Sequence, residues 1–209
     1  MRKALSCVLM MTLLLSGCGA KKEDSPEQLA AIIRGEYLSM AAWSATADLS
    51  ASYGEQVFDF TVDATWEKEG DLVITVTEPN LLSGITARIR DGETVLEYDG
   101  AGLSLGMLDL SGLTPVTVLP ALMECITKGY MAQCGWYGDG EGKILVILCR
   151  DPDRSPGEGT EYTLYFDPAT HALLRAEVSV DGALCLTAAL SNFTMEMKDD
   201  GTGADAHMG

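Results

Sequence analysis

The stretch Trp43-Ser44-Ala45-Thr46-Ala47-Asp48-Leu49-Ser50-Ala51-Ser52-Tyr53 alternates apolar and polar side chains without a break. A period of two puts Trp43, Ala45, Ala47, Leu49, Ala51 and Tyr53 on one face of an extended strand, and the hydroxyls with Asp48 on the other. A turn at Gly54-Glu55 leads into a second run of the same kind. There Phe58, Phe60, Val62, Ala64 and Trp66 alternate with Val57, Asp59, Thr61, Asp63 and Thr65. Two long strands joined by so short a turn pair antiparallel. An antiparallel sheet with one apolar face and one wet face is therefore the frame of the fold.

Downstream the meander continues. Glu69-Gly70-Asp71 turns into Leu72–Thr77, which closes before Pro79, and Asn80–Ser83 is a loop. Ile85, Ala87 and Ile89 alternate with Thr86, Arg88 and Arg90. Asp91-Gly92 is a two-residue hairpin signal, because both central positions of the favoured turn need positive φ, and Glu93–Asp99 is its partner strand. A sixth strand covers Leu103–Leu108. The pattern then changes: Thr114 to about Gly129 reads as a helix or helix pair, with Leu119, Leu122, Met123 and Ile126 on one side and Pro120 as a kink or split. Strands resume at Tyr130–Tyr137, Lys143–Arg150, Glu161–Asp167, Ala172–Val180 and Ala183–Phe193, with Asp181-Gly182 a second hairpin signal. Upstream, Ser25-Pro26-Glu27 starts a helix with serine as N-cap and proline at the first helical position. That helix runs to Met40, with Leu29, Ile32, Ile33, Tyr37 and Met40 as its apolar stripe.

The predicted class is mainly β (α+β). It is a single curled antiparallel sheet, or half-barrel, of about ten or eleven strands. The N-terminal helix and the helical insertion cover its concave face. A sheet this wide must twist and curl, and a curled sheet lidded by helices encloses an apolar space of the sort that holds ligands.

The N-terminus has a basic start, Arg2 and Lys3, followed by a run to Leu15 that is apolar apart from Ser6 and Thr12. The run is shorter than the ~20 apolar residues that span a bilayer and has the flanks of a cleaved signal peptide. Leu15-Ser16-Gly17-Cys18 closes it and resembles the bacterial lipobox. That resemblance implies cleavage before Cys18, diacylation of its sulfur and a membrane-anchored mature chain; two acyl chains anchor stably where one does not. Residues 1–17 are then the signal peptide, 18–25 the lipidated cysteine and a polar tether, 26–197 the domain, and 198–209 a polar, Gly-rich disordered tail. Removing residues 1–17 leaves 192 residues and takes the formal net charge from −17 to −19. So acidic a chain offers no basic patch to nucleic acid or to anionic lipid. The membrane would be reached through the lipid and not through charge.

Little in the chain points to chemistry. Beyond Cys7 and Cys18, the cysteines are Cys125, Cys134, Cys149 and Cys185, which allow three full pairings. Buried free thiols are placed ahead of disulfides. With no CxxC and only two histidines, His171 and His207, no zinc site, other metal site or cofactor is expected. No G-x-S-x-G elbow surrounds a serine, and His171, in a turn beside Asp167, is not expected to be catalytic. The chain reads as a non-enzyme. Asp48, Asp59 and Asp63 read as a solvated outer face in preference to a calcium site. The glycines at Gly100–Gly102 and Gly138–Gly142 are turns, since neither stretch opens a helix after a strand.

The segment Leu164-Tyr165-Phe166-Asp167-Pro168-Ala169-Thr170-His171-Ala172-Leu173-Leu174-Arg175-Ala176-Glu177 is a strand–turn–strand unit in which Asp167-Pro168 opens the turn. With the order helix, meander, helical insert, meander, it resembles the LolA/LolB-like lipoprotein-carrier fold family. The likeness covers roughly residues 26–197, mainly through the order of elements. In kind it is closest to clostridial-type lipoproteins such as the germination lipoprotein GerS. The resemblance implies a lidded half-barrel but supplies no functional residues. A true LolA is a soluble shuttle without lipid, so Cys18 implies LolB-like or GerS-like anchoring. Trp43, Tyr53, Phe58, Phe60, Trp66 and Ile85 are the expected lining of a hydrophobic-ligand site; the other reading packs them directly under the helices. Two functions follow. One is an anchored extracytoplasmic binder of a lipid, a lipoprotein acyl chain or another apolar ligand. The other is a scaffold of the envelope or spore, with a filled core, acting through edge strands as a homodimer or on a partner protein. An apolar cavity of a few hundred Å³ separates the two.

Overall fold

The computed structural model describes residues 24–107, 114 and 116–197. The expected leader, Cys18, most of the tether, Leu108 and the tail lie outside these residues. The first helix, α1, is Pro26–Ser39. Its start is a reciprocal capping box: the Gln28 backbone N–H donates to Ser25 Oγ at 3.3 Å, and the Ser25 backbone N–H donates to Gln28 Oε1 at 3.0 Å. Leu29, Ala30, Ile33 and Tyr37 form its buried face. Ile32, expected in the stripe, sits off that face and is 43% exposed.

Without a connecting loop the chain passes into β1 (Met40–Tyr53) and then β2 (Gln56–Glu67), β3 (Leu72–Glu78), β4 (Thr86–Arg90), β5 (Glu93–Tyr98) and β6 (Ala101–Met107). The second helix, α2, is Val118–Lys128. After it come β7 (Met131–Tyr137), a 3₁₀ turn at Gly140–Gly142, β8 (Ile144–Arg150), β9 (Thr160–Phe166), β10 (Leu173–Val180) and β11 (Ala183–Met197). All eleven strands form one antiparallel sheet in the order β6-β5-β4-β3-β2-β1-β11-β10-β9-β8-β7. It is mainly β, curled and unclosed, as expected.

Three of its turns follow one rule. Asp91-Gly92, Asp181-Gly182 and Asp99-Gly100 each carry two successive residues at positive φ, the backbone of a type I′ hairpin. The β1–β2 register runs without a slip, placing Trp43 opposite Trp66, Ala47 opposite Val62 and Leu49 opposite Phe60 on the concave face. On the convex face Thr46 Oγ1 donates to Asp63 and Thr61 Oγ1 donates to Asp48, both at 2.8 Å. The aspartates there are braced by hydroxyls on a wet surface. Among the described residues no group of three or more histidine, cysteine or acidic side chains could hold a metal ion.

Three details correct the sequence reading. The insertion is one described helix that starts at Val118, and Pro120 falls in its first turn, where no intrahelical donor is lost. Thr114 and Thr117 bond to each other just before it, the Thr114 N–H donating to Thr117 Oγ1 at 2.8 Å. The last strand runs on to Met197, past the expected end at Phe193, because a bulge at Asn192 (φ 52°) resets its phase.

The core lies between the concave face and the two helices. Alanines 45, 47, 64, 87, 176 and 188 floor much of that face and are buried. The bulk above them comes from Ile33, Leu119, Leu122 and Ile126, all in the same buried cluster. Small side chains on the sheet and large ones on the helices let the layers approach at interior packing density. β6 and β7 are opposite edges of the sheet. The connection between them must cross a face, and α2 lies on that path, over the concave side.

Candidate functional site

Where α2 crosses the N-terminal half of the sheet, a groove of about 450 Å³ remains. One wall is the face of α2 that carries Pro120, Met123, Glu124, Thr127 and Lys128; spacings of three and four residues align these side chains. The floor is Trp43, Trp66, Leu72 and Ile89 from β1 to β4. Trp66 pairs with Leu72, and Leu72 with Ile89, so the floor follows one cross-strand row. Tyr37, Leu38 and Met40 close the end where α1 becomes β1.

That closed end is held rigidly. The Tyr37 ring meets Phe166 edge-on at 5.8 Å and stacks on Phe193 at 5.9 Å, and Phe193 stacks on Trp43 at 6.5 Å. Phe193 reaches this row because the bulge at Asn192 turns it inward. The Tyr37 hydroxyl donates to the His171 carbonyl at 3.2 Å and accepts the Leu173 N–H at 3.1 Å. Burial, at 2% exposure, pushes the phenol well above its ordinary range, against the opposing effect of the Leu173 bond. His171 sits at φ 59° in the β9–β10 turn, with Nδ1 2.6 Å from a Glu36 carboxylate oxygen. Asp167 turns its own carboxylate to the Ala169 and Thr170 N–H groups. His171 therefore ties α1 to the turn, and Asp167 shapes the turn itself.

The open rim is polar. Lys128 pairs with Glu124 at 3.1 Å on the solvent side of α2, and Lys68 and Asp91 lie at the sheet side. The C-terminus of α2 is capped from α1: Arg34 Nε donates to the Ile126 carbonyl at 2.8 Å and Arg34 Nη2 to the Gly129 carbonyl at 2.5 Å. A cation at that end also complements the helix dipole. On the far side of α2 a second cleft, about 280 Å³, runs between its last turn and β8–β9.

Of the residues expected to line a ligand site, the structure brings Trp43 and Trp66 together in the groove. Phe58 and Phe60 share their face but sit at the other end of β2, Phe58 roughly 26 Å from Trp66 at the rise of an extended strand. Phe58 lies opposite Ala51 and is 41% exposed, and Phe60 is half-buried. Tyr53 ends β1 opposite Gln56. Ile85 is half-buried just ahead of β4, its carbonyl accepting the Val76 N–H at 2.9 Å. Leu72, Ile89 and Met123 join the groove without having been singled out for it. Leu72 and Ile89 were legible as inward positions of their strands, and Met123 as part of the apolar side of the insertion.

No family model matches the chain, and no curated protein matches it. Solved structures do. An uncharacterized conserved protein from Thermus thermophilus aligns with a TM-score of 0.50 at 13% identity, over 83% of this chain and 90% of that one. A LolA superfamily protein from Nitrosomonas europaea aligns at 11% identity and TM-score 0.44, over 85% and 95%. A chain from the structure of the CwlD amidase of Clostridioides difficile in complex with the GerS lipoprotein aligns at 14% identity and TM-score 0.41, over 83% and 98%. The likeness is one of fold. Among the described residues no helix is long and apolar enough to cross a membrane.

Proposed function

We propose that this chain is an extracytoplasmic lipoprotein held at the outer face of the cell membrane by lipid on Cys18, and that its LolA-like domain binds an acyl chain or similar apolar ligand without catalysis. The observation that carries the ligand reading is the groove: about 450 Å³ floored by Trp43, Trp66, Leu72 and Ile89. Small-molecule sites run from ~300 to 1,000 Å³, with mostly apolar walls and a few polar groups. An alkyl chain laid along the Trp66–Leu72–Ile89 row would be removed from water on both sides, and any polar end would meet Lys68, Asp91, Glu124 and Lys128 at the rim. The anchoring half of the proposal rests on the leader and Leu15-Ser16-Gly17-Cys18, with 18–25 as tether, 26–197 as domain and 198–209 as tail.

Native mass spectrometry of the purified protein, with lipid extraction, tests the ligand reading. Retained acyl ligand is expected, and it should be lost in a folded Trp66→Glu variant, since Trp66 is half-buried and its replacement charges the groove floor. A clean apo mass, with no uptake of added fatty acid or lipopeptide, would end the carrier reading.

One observation favours a second reading, a scaffold of the envelope or spore. All seven residues of β6, at the sheet edge, are exposed, including Leu103, Leu105 and Met107. A bare apolar edge is a template for another strand, from a partner or from a second copy. Pairing there would be abolished by Leu103→Lys with Met107→Lys, and under this reading the purified protein retains no ligand.

A further inference from the structure

The last turn of α2 brings two thiols together. Gly129 N–H closes the helix on the Cys125 carbonyl at 2.8 Å, the Arg150 N–H donates to the Tyr130 carbonyl at 3.2 Å, and Met131 pairs with Cys149 across β7–β8. So tight a link folds the end of α2 back over the end of β8. Cys125 and Cys149, at 7% and 1% exposure, meet at the wall of one cleft. Both thiols are free and both form a wall of the 280 Å³ cleft, together with Tyr162 and Thr160. The other two cysteines among the described residues, Cys134 and Cys185, are placed differently. Cys134 pairs with Ile147, and Cys185 donates to the Ala183 carbonyl at 3.2 Å.

Each thiol shifts the other: Cys125 draws the Cys149 thiol below its ordinary range, opposed by burial and helped by the Arg34 guanidinium, and Cys149, with burial, pushes Cys125 up.

We propose that Cys125 and Cys149 are a redox pair that exchanges with a disulfide donor to form a bond stapling α2 to the sheet. One of the two, as thiolate, attacks one sulfur of the donor R–S–S–R; that S–S bond breaks, and one R–S⁻ leaves and is protonated. The other then loses its proton and attacks the protein sulfur of the mixed disulfide, and the second R–S⁻ leaves with that proton. Two protein thiols are oxidised and one donor disulfide is reduced to two thiols. The cleft gives the donor its approach. The staple closes the chain from 125 to 149 and removes freedom from the unfolded state. It also fixes the helix that walls the groove, whatever occupies that groove.

The test equilibrates the full chain with mixtures of oxidised and reduced glutathione, quenches by alkylation and maps the peptides. The expected result is a Cys125–Cys149 cross-link, with Cys134 and Cys185 alkylated. The oxidised protein should melt about 6 °C above the reduced one. That shift should persist in Cys134→Ala and vanish in Cys149→Ala. Alkylation of Cys125, Cys134, Cys149 and Cys185 alike across the whole redox range, or a cross-link through Cys134, would overturn the proposal. The wild-type map and melting shift decide it even if a cysteine variant fails to fold.

Discussion

Tyr37→Phe removes one oxygen and little else, and its effect can be worked out from the structure. The hydroxyl bridges α1 to the β9–β10 turn, donating to the His171 carbonyl and accepting the Leu173 N–H. The ring contacts with Phe166 and Phe193 remain in the variant, so no cavity opens. The loss is two hydrogen bonds at a site only 2% exposed, with the Leu173 N–H left unpaired. A buried orphan of this kind costs ~1–3 kcal/mol, which puts the change at about 2 kcal/mol at neutral pH. In a domain of this size that is about 6 °C in melting temperature. The pH dependence gives an independent check. The phenol's folded pKa is raised, chiefly by burial, while the unfolded value is about 10. Its stabilisation is therefore complete below pH ~10 and fades above it, as the unfolded chain ionises first. Tyr162 and Tyr165 are also pushed up by burial, but they titrate in both proteins and cancel in the difference. Urea unfolding of wild type and variant at pH 7 and at alkaline pH should give a gap that narrows by about 1 kcal/mol per pH unit above 10. A variant within about 1 °C of wild type at neutral pH, or a gap that ignores pH, would refute the reasoning.

The other predictions concern helix ends. Arg34→Met removes both donors from the last carbonyls of α2 and should cost about 2 kcal/mol in chemical denaturation; Arg34→Lys should recover less than half, because it cannot fork. Ser25→Ala opens the capping box and should cost about 1 kcal/mol, with faster hydrogen exchange confined to the first turn of α1. Gly129→Ala would set a Cβ 2.5 Å from the Cys125 carbonyl oxygen; thermal melting should report a loss of about 2 kcal/mol or more.

Much of the fold was legible, because period-two patterning and turn chemistry are local. The run from Trp43 to Trp66 declared two paired strands, and Asp91-Gly92 and Asp181-Gly182 declared hairpins. Asp99-Gly100 belongs to the same turn class and carried the same signal. Pairing between β1 and β11 was not legible: it joins residues such as Leu49 and Ala188, and nothing near either one encodes the other. That single pairing merges two meanders into one sheet and sends α2 across its face. The groove was half legible for the same reason. Trp43 and Trp66 stood on the inward face, but which part of that face α2 leaves open depends on where the helix crosses. Phe193 was hidden by the bulge at Asn192, which reverses the alternation that would have placed it outward. Cys125 and Cys149 each read as buried, yet their meeting at one cleft depends on a helix folding back on a strand.

Under the proposed function, the groove beneath α2 takes an acyl chain. Photo-crosslinking with a diazirine-bearing fatty acid, mapped by peptide mass spectrometry, tests it most directly. Labels are expected on Trp66, Leu72, Ile89 and Met123, competed away by unlabelled fatty acid. Labelling confined to β6 or to the convex face, or none above background, would contradict it.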